Sequence, residues 1–409
     1  MRDLAGTLER LYALRTRGRR LGLARVQAVC DAFGNPERAF EVVHVAGTNG
    51  KGTVSASVAS MARAAGRRVG LYTSPHLTRF AERIQLDGAP LASEPLVEFL
   101  NQVMDRGPEL TFFEVATLAA FLAFREAKVE LAVLEVGLGG RLDATNVVPS
   151  PRVAAITRVA FDHMAELGGT LAEIAVEKAG IIKPGSAVVA GKLHPDAQRV
   201  VEARCEEVGA RLVPLGSAEP IAGAPLAYPR VTMFGSNLAV AVTIGRELGL
   251  EPEAMAEGIE RTSWPGRNEL LHRSGEELTL LDCAHNPDGA VALSRVIDPS
   301  VIGEIESRRD VALVFGAIDT KSWRPMLRRL EQAAAHRVFV APPVANAVPP
   351  ELMAAEFEGE VATSIAGALE RARAVVGSRG LVVVTGSSFL VGAARALLLG
   401  LETDPPIAL

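Results

Sequence analysis

The stretch "EVVHVAGTNGKGTVSASV", residues 41–58, changes its repeat halfway along. "VVHVA" reads as a strand. After Gly52, the residues Val54, Val58, Met61 and Ala65 recur on one helical face, and Gly66 reads as its C-cap. Gly47 to Thr53 therefore join a strand to a helix. The glycines at 47, 50 and 52 let backbone N–H groups turn inward around an anion, and the helix start adds partial positive charge. The spacing departs from the common G-x-x-x-x-G-K-[ST] loop, because Val45 replaces its first Gly and Gly52 its Ser or Thr. Lys51 is still placed to reach outer phosphates, and Thr53 to offer a hydroxyl to Mg²⁺. A bare glycine-rich turn would need neither residue, since neither has a packing role there. Gly47, Thr48, Asn49, Gly50, Lys51, Gly52 and Thr53 are the candidate phosphate loop.

The same alternation extends outward. "LAVLEVG", "VAAIT" and "AVVAG" in the first two thirds, and "LTLLDCA", "VALVFGA", "RVFVAPP" and "LVVVTGS" in the last third, read as buried strands. Segments such as "PMLRRLEQAAA", "AGALERARAVV" and "NLAVAVTIGRELGL" carry helical periodicity between them. Strand and helix in turn mean an α/β fold. With 409 residues, two domains are expected, and Pro265 and Gly266 in "SWPGRNE" (263–269) break regular structure between them. The expectation is a P-loop-type ATPase domain with a mostly parallel sheet over 1–265. A smaller Rossmann-like α/β domain follows over 266–409.

Composition narrows the function. Apolar residues make up 48% and charged residues 22%, the balance of a globular enzyme. A net charge of −5 with mixed signs supplies no basic stripe for nucleic acid. Cys30, Cys205 and Cys283 have neither metal nor disulfide spacing, which fits a reducing compartment. The first twenty residues lack the apolar core of a signal peptide, and "LAAFLAF" is too short to span a bilayer. A cytoplasmic protein without a membrane partner is expected.

Glu135 closes the strand "LAVLE" ahead of a glycine-rich loop, where an open α/β sheet aims side chains at its ligand crevice. Taken alone, it reads equally well as a paired surface carboxylate. Glu173, Glu177 and Lys178 would pass as a solvated helical charge cluster, and His163 as a structural histidine.

"HVAGTNGKGT", "TSPHL", "ERIQLDG", "TFFE", "EVGLGGRLDATN", "FDHMAELGGTLAEIAVEKAGIIKP", "WPGR" and "LDCAHNP" occur in this order. The set resembles folylpolyglutamate synthases and dihydrofolate synthases, relatives of the Mur ligases, from about residue 20 to at least 290 and more loosely to "VTGSSFLVG". The resemblance implies a two-step ligation. The γ-phosphate of ATP passes to a carboxylate of dihydropteroate or a reduced folate, and the amine of L-glutamate displaces phosphate from the acyl phosphate. It also implies Mg²⁺ at two sites. Thr53, Ser74 and Glu135 resemble ligands of the first, and His163 resembles a ligand of the second. Lys178 matches a lysine carried as a carbamate, which would bridge toward Mg²⁺. Carbamate formation needs a neutral amine, hence a lowered lysine pKa.

The resemblance assigns nucleotide contacts to Arg267, Asp282, His285 and Asn237, although Phe234-Gly235 replaces a His-Gln pair before that Asn in many members. It places the pterin near Thr111, Phe113, Asp143 and Ala144, with Leu21, Gly22 and Leu23 closing the pocket. Phe112 would serve the core as readily as Phe113. The "SPHLTRFAERI" loop, stiffened by Pro75, is expected over the substrate, and the family suggests a monomer. A Mur-type amino-acid ligase acting on a non-folate acceptor is the alternative. A nucleotide-dependent switch would need neither Lys178 nor His163. Choosing between dihydrofolate synthase, folylpolyglutamate synthase and both lies beyond these motifs.

Overall fold

The computed structural model describes residues 3–18, 22–216, 235–272, 278–298, 310–378 and 380–404. They form two compact units, Met1–His76 with Phe80–Ser263, and Leu77–Arg79 with Trp264–Leu409. The fold is α/β in both.

In the first unit the strands are β1 (Glu41–Ala46), β2 (Val69–Tyr72), β3 (Ile84–Leu86), β4 (Ala89–Pro90), β5 (Leu131–Glu135), β6 (Val153–Ile156), β7 (Ala187–Ala190) and β8 (Arg211–Val213). They build one sheet in the order β4-β3-β2-β5-β1-β6-β7-β8. All pairings are parallel except β2 with β3 and β3 with β4. The β3–β4 turn has positive φ at Asp87 (48°) and Gly88 (83°), the geometry of a tight hairpin. β1 is buried from Val42 to Ala46, as a central parallel strand covered on both faces must be. The helix Phe112–Glu126 is buried at Phe112 and without a break from Glu114 to Phe124. It shares an apolar cluster with Val42, Tyr72, Ala132 and Leu134.

Beyond β1 the chain enters the helix Lys51–Ala64 and returns as β2 on one side, whereas β6 leads to β7 on the other. The carboxyl ends of neighbouring β1 and β6 therefore diverge. That is the switch point at which open α/β sheets bind ligands. The phosphate loop lies there. Its helix is capped at Ala65, one residue before the Gly66 expected from sequence, and Gly66 follows in the left-handed region at φ 82°.

The second unit holds β9 (Glu269–His272), β10 (Leu278–Leu281), β11 (Val311–Phe315), β12 (His336–Phe339), β13 (Glu360–Val361) and β14 (Leu381–Thr385). Their order is β13-β12-β11-β14-β10-β9, with only β9 antiparallel. Apolar clusters cover both faces, one built on Leu313, Phe315 and Met326, the other on Val314, Val382 and Leu390. The helical reading of "PMLRRLEQAAA" runs too far. The helix is Trp323–Leu330, and the chain turns at Ala333 to deliver β12. No helix among the described residues is long and apolar enough to cross a membrane.

Candidate active site

Gly47 and Gly50 shape the loop after β1. A Cβ on Gly47 would lie 1.9 Å from Thr157 Oγ1, and one on Gly50 would lie 2.4 Å from Asn237 Oδ1. Gly50 has φ 86° and precedes Lys51, the first residue of the helix. The loop is stitched to the segment after β6. Thr48 N–H donates to the Arg158 carbonyl at 2.6 Å, Thr48 Oγ1 donates to Ala160 O at 3.1 Å, and Thr157 Oγ1 donates to Asn49 O at 2.8 Å. Thr48 thus anchors the loop with its hydroxyl. Thr157 carries no motif of its own, and its one sequence cue is a hydroxyl directly after β6. Asn237, near the start of the helix Gly235–Glu247, packs against Gly50.

Lys51 Nζ lies 3.3 Å from Thr48 O and 4.0 Å from Glu135 Oε1. Glu135 is buried at the carboxyl end of β5, and its Oε2 accepts from Ser74 N–H at 3.0 Å. Strand ends thus bring Lys51, Ser74 and Glu135 together. Thr53 is half-buried in the first helical turn, and its carbonyl accepts from Ser57 Oγ at 2.7 Å. Among the described residues no group of three or more His, Cys, Asp or Glu could hold a metal ion. The donors at hand are one carboxylate and two hydroxyls. These hard oxygens suit Mg²⁺ rather than a thiolate- or imidazole-seeking ion.

The helix Leu171–Ala179 resolves the charge cluster. Glu173 forms a capping box with Thr170. Glu177 pairs with Arg141 at 2.8 Å. Lys178 alone turns inward, is only 3% exposed, and donates from Nζ to Gly47 O at 3.0 Å. Burial, reinforced by the charge of Lys51, lowers its pKa to about 7; Asp162 and Asp143 act the other way. An amine partly neutral near pH 7 meets the chemical requirement for adding CO₂. His163 has a left-handed backbone (φ 51°), and its Nε2 lies 3.8 Å from Asp162 Oδ1.

Thr111 caps the helix Phe112–Glu126 in a reciprocal box with Glu114, which also pairs with Arg25 at 2.9 Å. Phe112 is buried, whereas Phe113 is half-exposed. A Cβ on Gly137 would lie 2.5 Å from the Phe113 ring, so that glycine makes room for the aromatic. Asp143 is buried and receives four hydrogen bonds, from Gly137 N (3.1 Å), Leu138 N (2.9 Å), Thr145 N (3.0 Å) and Thr145 Oγ1 (2.6 Å). Those four donors match the lone-pair sites of a carboxylate, so its visible task is to hold this loop. Burial raises the Asp143 pKa against these bonds. His44, fully buried in β1, extends the chain: its Nε2 lies 2.7 Å from Thr145 Oγ1. Because that hydroxyl donates to Asp143, His44 is the donor in this contact. Ala144 is buried, Gly22 and Leu23 precede the helix Ala24–Ala32, and Leu21 lies outside the described residues.

In the second unit, Asp282 follows β10 and accepts from Asn268 N–H and Ala284 N–H, each at 2.9 Å. Burial raises its pKa, and Arg267 and His285 counter that effect. His285 Nδ1 lies 2.9 Å from Cys283 O, and Arg267 Nη1 lies 3.4 Å from Gly266 O. Arg267 and His285 thus both act on Asp282, ahead of the helix Pro287–Val296.

Residues 45–203 match the Mur ligase middle domain, and residues 266–388 match the Mur ligase glutamate ligase domain. The chain is 33% identical over 412 residues to a folylpolyglutamate synthase of Lacticaseibacillus casei, covering 92% of this chain and 94% of that protein. It is 34% identical over 355 residues to a dihydrofolate synthase/folylpolyglutamate synthase of Bacillus subtilis, covering 78% and 80%. A Yersinia pestis bifunctional enzyme complexed with AMPPNP and Mn ion superposes with a TM-score of 0.88 at 30% identity, covering 98% of this chain and 99% of that one. Escherichia coli FolC in complex with DHPP and ADP gives 0.87 at 29% identity, covering 98% of each chain. On this likeness in sequence and fold, the chain belongs to the folylpolyglutamate synthase/dihydrofolate synthase family of Mur ligases.

Proposed function

We propose that this chain ligates L-glutamate to the carboxylate of dihydropteroate or a reduced folate, forming an amide and converting ATP to ADP and phosphate. The observation that carries the reading is Lys51, at the helix start, 4.0 Å from the strand-end carboxylate of Glu135. The family relatives support the same activity.

A carboxylate is a weak nucleophile toward a polyanion, and the two repel, so cations must screen their approach. The N–H groups of Gly50, Lys51 and Gly52 cradle the phosphates, and Lys51 neutralises charge on the transferred group. A carboxylate oxygen of the acceptor attacks the γ-phosphorus as the bond to the ADP oxygen breaks. The glutamate amine then attacks the acyl carbon, loses a proton, and phosphate departs. Thr53, Ser74 and Glu135 would hold one Mg²⁺, with His163 and a carbamate on Lys178 serving a second. Bound there, Mg²⁺ supplies charge neutralisation on the phosphoryl oxygens. Arg267, Asp282, His285 and Asn237 contact the nucleotide in this reading. Thr111, the half-exposed Phe113, Ala144, Gly22 and Leu23 line the pterin site, and Asp143 keeps its loop in place. Residues 1–265 thus serve ATP and folate, and 266–409 form the ligase domain. The enzyme works as a cytoplasmic monomer; its three cysteines are free and buried, as a reducing compartment allows.

Supplying ATP, Mg²⁺, glutamate and either dihydropteroate or tetrahydrofolate tests the reading. It requires an amide product with one ADP per bond. Release of AMP, or use of a non-folate acceptor alone, contradicts it.

A further inference from the structure

Two arginines outside the phosphate loop meet around the Phe112 ring, and a histidine bonded to one of them packs against neighbouring Phe80. The guanidinium carbons of Arg15 and Arg83 lie 5.0 Å and 5.2 Å from the centre of the Phe112 ring, so they are no more than about 10 Å apart. Arg83 also lies 5.6 Å from the Phe80 ring centre. It is 4% exposed, and its backbone is tied down by Thr73 N–H donating to its carbonyl.

The group is rich in donors and short of acceptors. Arg83 Nε donates to His76 Nδ1 at 2.7 Å, so that nitrogen carries a lone pair and the imidazole is neutral with Nε2–H as its remaining donor. Burial and the two guanidiniums hold the His76 pKa well below its ordinary value, in keeping with that tautomer. Arg15 Nη1 is buried without a hydrogen-bond partner. Among the described residues neither arginine has an ion pair with a carboxylate; Glu135 and Glu82 act on Arg83 only through space. The Arg15 pKa falls to about 10, chiefly from burial and then from Arg83. Two neighbouring cations in an aromatic setting, with no paired anion, are a costly arrangement for folding alone. A bound anion relieves that cost.

We propose that Arg15, Arg83 and His76 form a carboxylate-binding subsite whose ligand is the α-carboxylate of a glutamate unit. The proposal rests on the ligase reading above. In that reading the phosphate loop takes the polyphosphate, and the acceptor's reacting carboxylate is committed to chemistry. The carboxylates left to place are those of glutamate. Planar guanidiniums match a carboxylate in shape and donor spacing, and Phe112 and Phe80 keep water from competing. The glutamate unit has two sources: free L-glutamate, or the glutamyl tail already on a folate. Dihydropteroate has no such tail, so the subsite would set the enzyme's preference between acceptors if the tail is what binds.

Steady-state constants for ATP, L-glutamate, dihydropteroate and tetrahydrofolate in the parent, Arg15→Met, Arg83→Met and Arg83→Lys, with melting temperatures, test the proposal. If the tail binds, the Met variants raise KM for tetrahydrofolate at least about tenfold and leave dihydropteroate and ATP within about twofold. If free glutamate binds, its KM rises by that factor with either acceptor. Arg83→Lys recovers part of the loss, and melting does not fall in Arg15→Met, whose lost guanidinium nitrogen was buried without a hydrogen-bond partner. Equal KM values throughout, or lower melting with every constant shifting alike, overturn the proposal. For a variant too slow to assay, equilibrium binding of the same four molecules gives the same ratios. Absence of ligation by the parent would instead overturn the ligase reading, and the binding ratios would still judge the subsite.

Discussion

The ammonium nitrogen of Lys178 donates to the carbonyl oxygen of Gly47 across 3.0 Å, tying the helix Leu171–Ala179 to the phosphate loop. That amine has a pKa of about 7 in the fold, against 10.5 when unconstrained. Below about pH 7 both folded and unfolded chains are protonated there, and the native state carries the whole penalty of a buried charge. Between about 7 and 10.5 the unfolded chain binds more protons, so stability rises with pH. Across that window the rise is on the order of 5 kcal/mol. Lys178→Met lacks this contribution, so its melting advantage over the parent in CO₂-free buffer should shrink steadily as pH increases. A difference independent of pH contradicts the shift.

The same neutral amine is the reactive form toward CO₂. Stripping CO₂ from the assay should slow turnover, and added bicarbonate should restore it. Lys178→Ala should lose about a hundredfold or more in kcat while still binding ADP. A carbon-13 carbamate resonance that disappears in the variant would confirm the modification. Turnover indifferent to both changes would remove Lys178 from the mechanism.

Gly50 combines φ 86° with the Asn237 side chain 2.4 Å from where a Cβ would stand. Gly50→Ala should therefore cost roughly 2–3 kcal/mol and raise KM for ATP. Adding Asn237→Ala relieves the contact and leaves the backbone strain, so the double variant should recover only part of the stability. Full recovery in denaturant melts would show that strain is negligible there.

Adjacent aromatics should separate packing from binding. Phe112 is buried among Tyr12, Phe80 and the two arginines, and Phe112→Ala should cost about 3–5 kcal/mol. Phe113 is half-exposed beside Gly137. Phe113→Ala should cost less stability and raise KM for the pterin acceptor, with KM for ATP unchanged. Equal stability losses and an unchanged acceptor KM would place Phe113 in the core alone.

Much of the frame was legible in the sequence because long apolar runs such as those of β1, β5, β11 and β14 are buried on both faces, so their composition alone marks them. The strands β2, β3, β4, β8, β9 and β13 have two to four residues each and, unlike the equally short β6 and β7, lack an unbroken run of small and β-branched apolar residues to mark them. The pair Asp87-Gly88 is the local turn cue for the β3–β4 hairpin. At the site, glycine spacing and the strand-end position of Glu135 could be read locally. The inward turn of Lys178 could not, since Glu173, Glu177 and Lys178 look alike until the helix is seated against the loop. Arg15, His76 and Arg83 are hidden for a similar reason: only packing around Phe112 and Phe80 and the Arg83–His76 hydrogen bond make them one group.

Transfer of oxygen from acceptor to phosphate tests the central claim most directly. Dihydropteroate or tetrahydrofolate labelled with oxygen-18 in its reacting carboxylate is incubated with ATP, Mg²⁺ and L-glutamate, and the released phosphate is analysed by mass. Activation through an acyl phosphate predicts one labelled oxygen in each phosphate, with ADP formed in equal amount. Unlabelled phosphate, or label recovered in AMP, would contradict it.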